Sequence, residues 1–158
     1  MYFNQKNNFY HGIMFHHFHD GKKHLKGQGS ITKDEFYKIL NFIGIKNILN
    51  ADIFFEKSKN NKLKDNEVCI TFDDSVKCQI DIALPVLEDL KIKSFFFVYT
   101  SIFEGKPDYL ELFRYFRINY FENINEFYRE FYEILDEDLD NFFLKNQKII
   151  QEKKIKFP

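Results

Sequence analysis

Residues 68–75 read Val68-Cys69-Ile70-Thr71-Phe72-Asp73-Asp74-Ser75, an apolar, β-branched run that ends on two adjacent carboxylates. A short apolar run rich in β-branched residues reads as a buried strand. A buried strand that stops on Asp-Asp carries two charges to the edge of a sheet. Catalytic and metal-binding groups of α/β proteins are usually assembled at such strand ends. Neighbouring carboxylates repel, which costs stability unless a cation or a shared proton offsets it. The same residues also suit a plain solvated turn, where Asp is common. Both readings stand at this point.

The surroundings of the pair point to an α/β fold. Downstream, Ile80, Ala83, Leu84 and Leu87 mark an apolar helical face. Pro85 interrupts it, so the helix is either kinked there or starts late with Pro in its first turn. Ser94 to Tyr99 is apolar almost throughout and reads as a second strand, covered on both faces. Strand, helix and strand within about thirty residues make a βαβ unit with a right-handed crossover. Upstream, Gly12 to Phe15 is a short apolar run and reads as a strand. Gly21 to Gly29 is a polar, basic loop. Thr32 and Glu35 form a capping box, Phe36, Ile39, Leu40 and Ile43 share a helical face, and Gly44 stops that helix. Glu56 to Asn66 reads as a charged loop.

After Gly105 and Pro107 the pattern turns helical. Tyr109, Leu112, Phe113 and Phe116 form one stripe. Ile124, Phe127, Tyr128 and Phe131 form another, preceded by a capping signal at Asn123 and Glu126. Leu139, Phe142, Phe143 and Ile150 suggest a third helix. These stripes read as packing faces of amphipathic helices rather than ligand boxes.

Composition narrows the function classes. A length of 158 residues suits one domain, and a net charge of -1 gives no general electrostatic case for nucleic acid or an anionic membrane. The 21 Phe and 9 Tyr accompany many Lys, Asn and Ile. All have A/T-rich codons, so base bias of the genome accounts for the aromatic content without a stacking platform. Cys69 and Cys78 make no disulfide framework. The first eight residues lack the apolar core of a signal peptide, and no stretch is long enough to span a bilayer. A cytoplasmic location is the expectation.

All five histidines, His11, His16, His17, His19 and His24, lie in one early region. His17 and His19 alternate along an extended segment, so both can face one side. With Asp74 they would make a two-histidine, one-carboxylate metal site. The competing reading is a surface histidine-rich turn, with His16 alone near the mouth of an α/β barrel.

From Val68 to Val98 the chain resembles the polysaccharide deacetylase family, the NodB-homology group of carbohydrate esterases. The residues that carry the resemblance are Thr71-Phe72-Asp73-Asp74, then Ala83-Leu84-Pro85-Val86-Leu87, then Ser94-Phe95-Phe96-Phe97-Val98. Met14-Phe15-His16 looks like the element that often opens such a domain, and Gly29-Ser30-Ile31-Thr32 with Phe36 like the segment before the first motif. The resemblance implies a distorted (β/α) barrel and a hydrolase that removes the acetyl group of an N-acetyl amino sugar in a glycan. It implies Asp73 as the general base that activates water, and Asp74 as ligand to a divalent metal, usually zinc. A metal lowers the pKa of its water and polarises the amide carbonyl, while a separate carboxylate takes the proton.

Two departures stand out. Ser75 replaces the usual Gly after the pair, and its hydroxyl could cap the next helix. No histidine follows His24, so the family motif H-[ST]-x-x-H, which supplies two further metal ligands, has no counterpart downstream of Asp74. The later motifs, with an arginine and a second histidine, are also missing. The expectation is an incomplete barrel: residues 1–105 as the front part of the domain, and 106–158 as a helical insert or extension. Such a chain is expected to be weakly active or inactive alone. Two other readings compete. One is a non-catalytic carbohydrate-binding or scaffold fragment. The other is a phosphoacceptor receiver domain, which needs a further strand-end Asp and a later Lys. A D-x-D-x-T phosphatase lacks the required spacing here.

Overall fold

The computed structural model describes residues 11–27 and 29–134. By its internal contacts the chain divides into two compact units, Met1–Leu112 and Phe113–Pro158. The third helix expected at Leu139 to Ile150 and the polar N-terminus lie outside the described residues.

The first unit is built on three parallel strands in the order β1 (His11–Phe15), β2 (Val68–Phe72), β3 (Phe95–Phe96). β1 pairs with β2 from His11 opposite Val68 to Phe15 opposite Phe72, and β3 adds Phe95 opposite Thr71 and Phe96 opposite Phe72. Side chains alternate across a strand. One face therefore presents Ile13, Phe15, Ile70, Phe72 and Phe96 to the core, where Phe18, Phe36, Leu40, Ile82, Val86 and Leu87 meet them. The other face carries Gly12, Met14 and Thr71, and Met14 is exposed.

α1 (Lys33–Ile43) follows the sequence pattern closely. Thr32 Oγ1 accepts from the Glu35 N–H at 3.2 Å, and the Glu35 carboxylate accepts from the Thr32 N–H at 2.8 Å. These hydrogen bonds hold the Glu35 carboxyl below its ordinary pKa. Gly44 ends the helix at φ 88, in the region that favours glycine. Phe36 and Leu40 are fully buried. Phe36 sits edge-on to Phe15, Phe18 and Phe72, at centroid distances of 4.8, 5.2 and 6.1 Å.

Three elements differ from the sequence reading. Ala51–Lys59 is a helix, α2, whose last four residues take the start of the stretch read as a loop from Glu56. Its entry is fixed tertiarily: Asn50 makes no side-chain cap, and its Oδ1 accepts from the Lys93 N–H at 2.8 Å. The helix after the acids is kinked rather than late. It contains a π-helical turn, Gln79–Ala83, that continues into α3 (Leu84–Asp89) with Pro85 in its first turn. Proline has no N–H to donate four residues back. The ladder adjusts by one residue, with the Leu84 N–H reaching Gln79 O. This shift turns Ile80 outward, 47% exposed, and puts Ile82, Ala83, Val86 and Leu87 inside. β3 is two residues long, and Phe97, Val98 and Tyr99 beyond it are exposed, so the expected covering of both faces is not met there.

After a 3-10 turn at Thr100–Glu104, α4 (Tyr109–Tyr120) begins in the first unit and runs past Leu112. Asp108 Oδ1 accepts from the N–H groups of Leu110 and Glu111, capping its start. In the second unit, α5 (Ile124–Ile134) is capped by Asn123, whose Oδ1 accepts from the Asn125 and Glu126 N–H groups. Glu126 closes on the Glu122 N–H rather than on Asn123. Phe127 is buried among Phe113, Phe121 and Phe131. The stripe on α4 contains no buried residue, so it is not a closed packing face. Among the described residues no helix is long and apolar enough to cross a membrane.

Truncating Phe36 removes the ring that three other Phe rings pack against. The Phe36→Ala variant is expected to lose about 3–5 kcal/mol of unfolding free energy in urea, and Phe42→Ala, on the outer face of the same helix, less than about 0.5 kcal/mol.

Candidate functional site

The site begins where β1 and β2 end together. The Asp73 N–H donates to Phe15 O at 3.3 Å, one step beyond the ladder, and fixes the first acid at the sheet edge. Asp74 and Ser75 then take φ values of 69 and 50, both left-handed. This conformation costs roughly 1 kcal/mol per residue, less for Asp than for most residues. The Ser75 hydroxyl does not cap the following helix as expected. It donates to Phe97 O at 3.2 Å and tethers the turn to the chain just past β3.

Parallel pairing brings His16 beside the acids. Its Nε2 lies 3.9 Å from Asp73 Oδ2 and 3.8 Å from Asp74 Oδ2. These separations are too long for hydrogen bonds, and all three side chains are about one-third exposed, so solvent screens the attraction. His16 is a neighbour of the pair without being locked to it.

His17 and His19 go elsewhere. Between them Phe18 is buried in the core, and the backbone of His17 and His19 is bonded to Ile31. The His17 ring meets Glu111 at 3.0 Å, and the His19 ring meets the Ser30 hydroxyl at 3.0 Å. Each ring is thus bound by its own partner. Among the described residues no three His, Cys, Asp or Glu side chains form a group able to hold a metal ion, so His17, His19 and Asp74 are not gathered around one cation and these residues complete no zinc site.

Two residues passed over in the sequence prove to organise the site. Gln79 is fully buried, and its Nε2 donates to His16 O at 2.8 Å and to Asp73 O at 2.6 Å. Its Oε1 has no partner. An unpaired buried acceptor costs about 1–3 kcal/mol. The available signal was a lone amide on an apolar helix, a turn and a half ahead of a proline. Asp81, two residues on, accepts from Lys23 at 2.6 Å, Lys77 at 2.7 Å and His24 at 2.8 Å. Hydrogen bonds from Lys23, Lys77 and His24 hold its carboxyl far below the usual carboxylate range. The loop that carries Lys23 and His24 is itself folded on Asp20, whose Oδ1 accepts from three successive N–H groups at 2.9 Å.

Both cysteines are buried and free, and burial pushes the Cys69 thiol up to about 11 and raises that of Cys78. Neither is poised as a nucleophile. An open cleft of about 660 Å³ lies over the second face of the sheet. Gly12, Met14 and Thr71 contribute from the strands, Asp73 and Asp74 from the turn, and Phe97 and Tyr99 from the segment after β3. Two carboxyl groups thus open into a cleft with a mainly apolar lining, a setting suited to holding a substrate beside a proton acceptor.

A family model described as polysaccharide deacetylase matches residues 60–153, more than half of the chain. The match includes both acids and the π-helical turn, and starts after the histidine-rich segment. No curated protein and no solved structure matches at a significant level.

The Asp81 cluster predicts acid sensitivity. A carboxyl depressed in the folded state stabilises above its unfolded value, about 3.9, and that contribution is lost as pH falls through the folded value. Urea titrations from pH 6 to pH 2 are expected to show Asp81→Asn less stable than the wild type at pH 6, with the gap closing below about pH 4. A gap that stays constant with pH sinks the assignment.

Proposed function

Because the chain belongs to the polysaccharide deacetylase family, we propose that its cleft takes an N-acetylated amino sugar of a glycan and hydrolyses the amide, with Asp73 as general base. The observation that carries this reading is the acidic pair at the end of β2, opening into a cleft of about 660 Å³. Asp73 takes a proton from water as the water oxygen adds to the amide carbonyl carbon. The tetrahedral adduct then expels the sugar nitrogen. That nitrogen takes a proton as the C–N bond breaks, leaving acetate and a free amine. That proton is the one Asp73 took from water; His16, beside both acids, is placed to relay it from Asp73 to the nitrogen, which leaves both groups as they began. Phe97 and Tyr99 offer apolar surface for a sugar ring.

The three strands are proposed as part of a distorted (β/α) barrel, with helices on the Phe72 face and the Met14 face turned toward the interior. Parallel order and one-sided helical cover support this. Zinc belongs to the same proposal with Asp74 as its ligand. The described residues offer it no three-donor group, so they bind it weakly and activity through them is low. Residues 106–158 act as a helical extension on this reading. A second reading, a glycan-binding domain without catalysis, is favoured by that same lack of a metal-holding group.

The deciding experiment follows acetate release from an N-acetylated chito-oligosaccharide, with and without added Zn²⁺. Deacetylation predicts slow release that falls by about 10²-fold or more in Asp73→Asn, with oligosaccharide binding retained. Zn²⁺ titration of the wild type is expected to give a Kd weaker than about 1 μM. Binding without any acetate, unaffected by Asp73→Asn, supports the second reading.

A further inference from the structure

Among the described residues, Gln79 is the one polar residue that is buried, at 0% exposure. It sits on the buried face of the helix, where its neighbours Cys78, Ile82, Ala83 and Val86 are apolar. Its carbonyl oxygen has no partner, and a methionine of similar length would bury no unpaired acceptor. What the amide does is bridge. Its two N–H donors are both used, one on His16 O and one on Asp73 O. His16 is the first residue past β1, and Asp73 the first past β2. The last backbone bond between the two exits is the one from the Asp73 N–H to Phe15 O at 3.3 Å, and the carbonyls of His16 and Asp73 lie beyond it. Gln79 therefore takes over where the sheet stops and holds the two chain ends at one spacing.

The π-helical turn explains how the side chain reaches both. Gln79 is the first residue of that turn, and its carbonyl accepts from the Leu84 N–H five residues on. The widened turn belongs to the kink at Pro85. π-turns inside α-helices are frequent at functional sites because they rotate one side chain out of the regular register. The next helix residue before it, Cys78, adds a second stitch: the Phe18 N–H donates to its Sγ at 3.4 Å. The helix start thus grips the β1 exit at positions 16 and 18, and the β2 exit at position 73.

We infer that Gln79 is a positioning residue of the site: through the carbonyls of His16 and Asp73 it sets where the imidazole stands relative to the two carboxylates. Its catalytic consequence rests on the reading of Asp73 as the base, whereas its structural part does not. Gln79 does not line the cleft and meets Asp73 at its backbone carbonyl rather than its carboxylate, so it acts through others. Loss of the bridge frees the two strand exits to move apart while the core beneath, built on Phe72, Val86 and Leu87, stays closed.

The test uses the full chain with carbon-13-labelled histidine. Gln79→Met keeps the length and removes both donors. Gln79→Asn keeps an amide but is one methylene too short to reach both carbonyls. Val86→Ala, on the same helix and buried, controls for lost stability alone. At one fixed pH, the imidazole C–H signal of His16 is expected to move in both Gln79 variants and to stay in Val86→Ala. For acetate release, kcat is expected to fall about tenfold to a hundredfold in the Gln79 variants with KM within about twofold. The inference is overturned if the His16 signal stays put in both Gln79 variants, or moves equally in Val86→Ala, or if KM rises with kcat unchanged. A wild type that releases no acetate refutes the deacetylase reading instead, and the His16 signal then decides the role of Gln79 by itself.

Discussion

The parallel pairing of β1 with β2 is the constraint from which the rest follows. It joins segments 57 residues apart in the chain, with Phe15 opposite Phe72 at the shared end. Because side chains alternate, this register fixes which face is apolar: Ile13 and Phe15 line up with Ile70 and Phe72 over α1 and α3. A slip of one residue would send Gly12 and Met14 into that core and the phenylalanines into the cleft. The register also decides the chemistry. The residue after Phe15 is His16 and the residue after Phe72 is Asp73, so matched strand ends put an imidazole and a carboxylate side by side.

Beyond the ladder, the helix start from Lys77 to Ala83 acts as a second organising element. Three side chains in four residues reach back to the early loop or the strand exits: Cys78 to Phe18, Gln79 to His16 and Asp73, and Asp81 to Lys23 and His24. Each of these is a polar contact made by a helix whose buried face is otherwise apolar. The π-turn, Gln79–Ala83, lies between these contacts and the buried Val86 and Leu87. Pro85 makes it affordable, since a residue with no N–H leaves the ladder interrupted whichever turn is used.

What could be read from the chain was mostly local. The limits of β2, the Thr32–Glu35 capping box, the Gly44 stop and the acidic pair each rest on residues adjacent in sequence, whose physics needs no distant partner. What escaped depended on tertiary context. α2 is short and charged, and it is anchored through Asn50 to Lys93, a contact invisible to periodicity. The apolar run Ser94 to Tyr99 promised a covered strand, but only Phe95 and Phe96 pair as strand residues, and Phe97, Val98 and Tyr99 are exposed. Alternation along the chain fixes no partner for His17 and His19, and Glu111 and Ser30 hold them separately. Gln79 carried a signal, a polar residue where burial was due, that composition treats as noise.

The turn at Asp74 and Ser75 shows how strain and function are coupled here. Two successive left-handed residues without glycine are held at a cost that a glycine at position 75 would largely remove. The serine supplies what glycine lacks, a hydroxyl that reaches Phe97 O. That bond spans from the acidic turn to the exit of β3, the segment whose Phe97 and Tyr99 line the cleft. Gln79 ties the same turn to the exit of β1 from the buried side. The acids are therefore held from two directions, below by an amide in the core and laterally by a hydroxyl at the cleft. The Ser75 hydroxyl thus links the cleft wall at Phe97 to Asp74 through one residue of backbone.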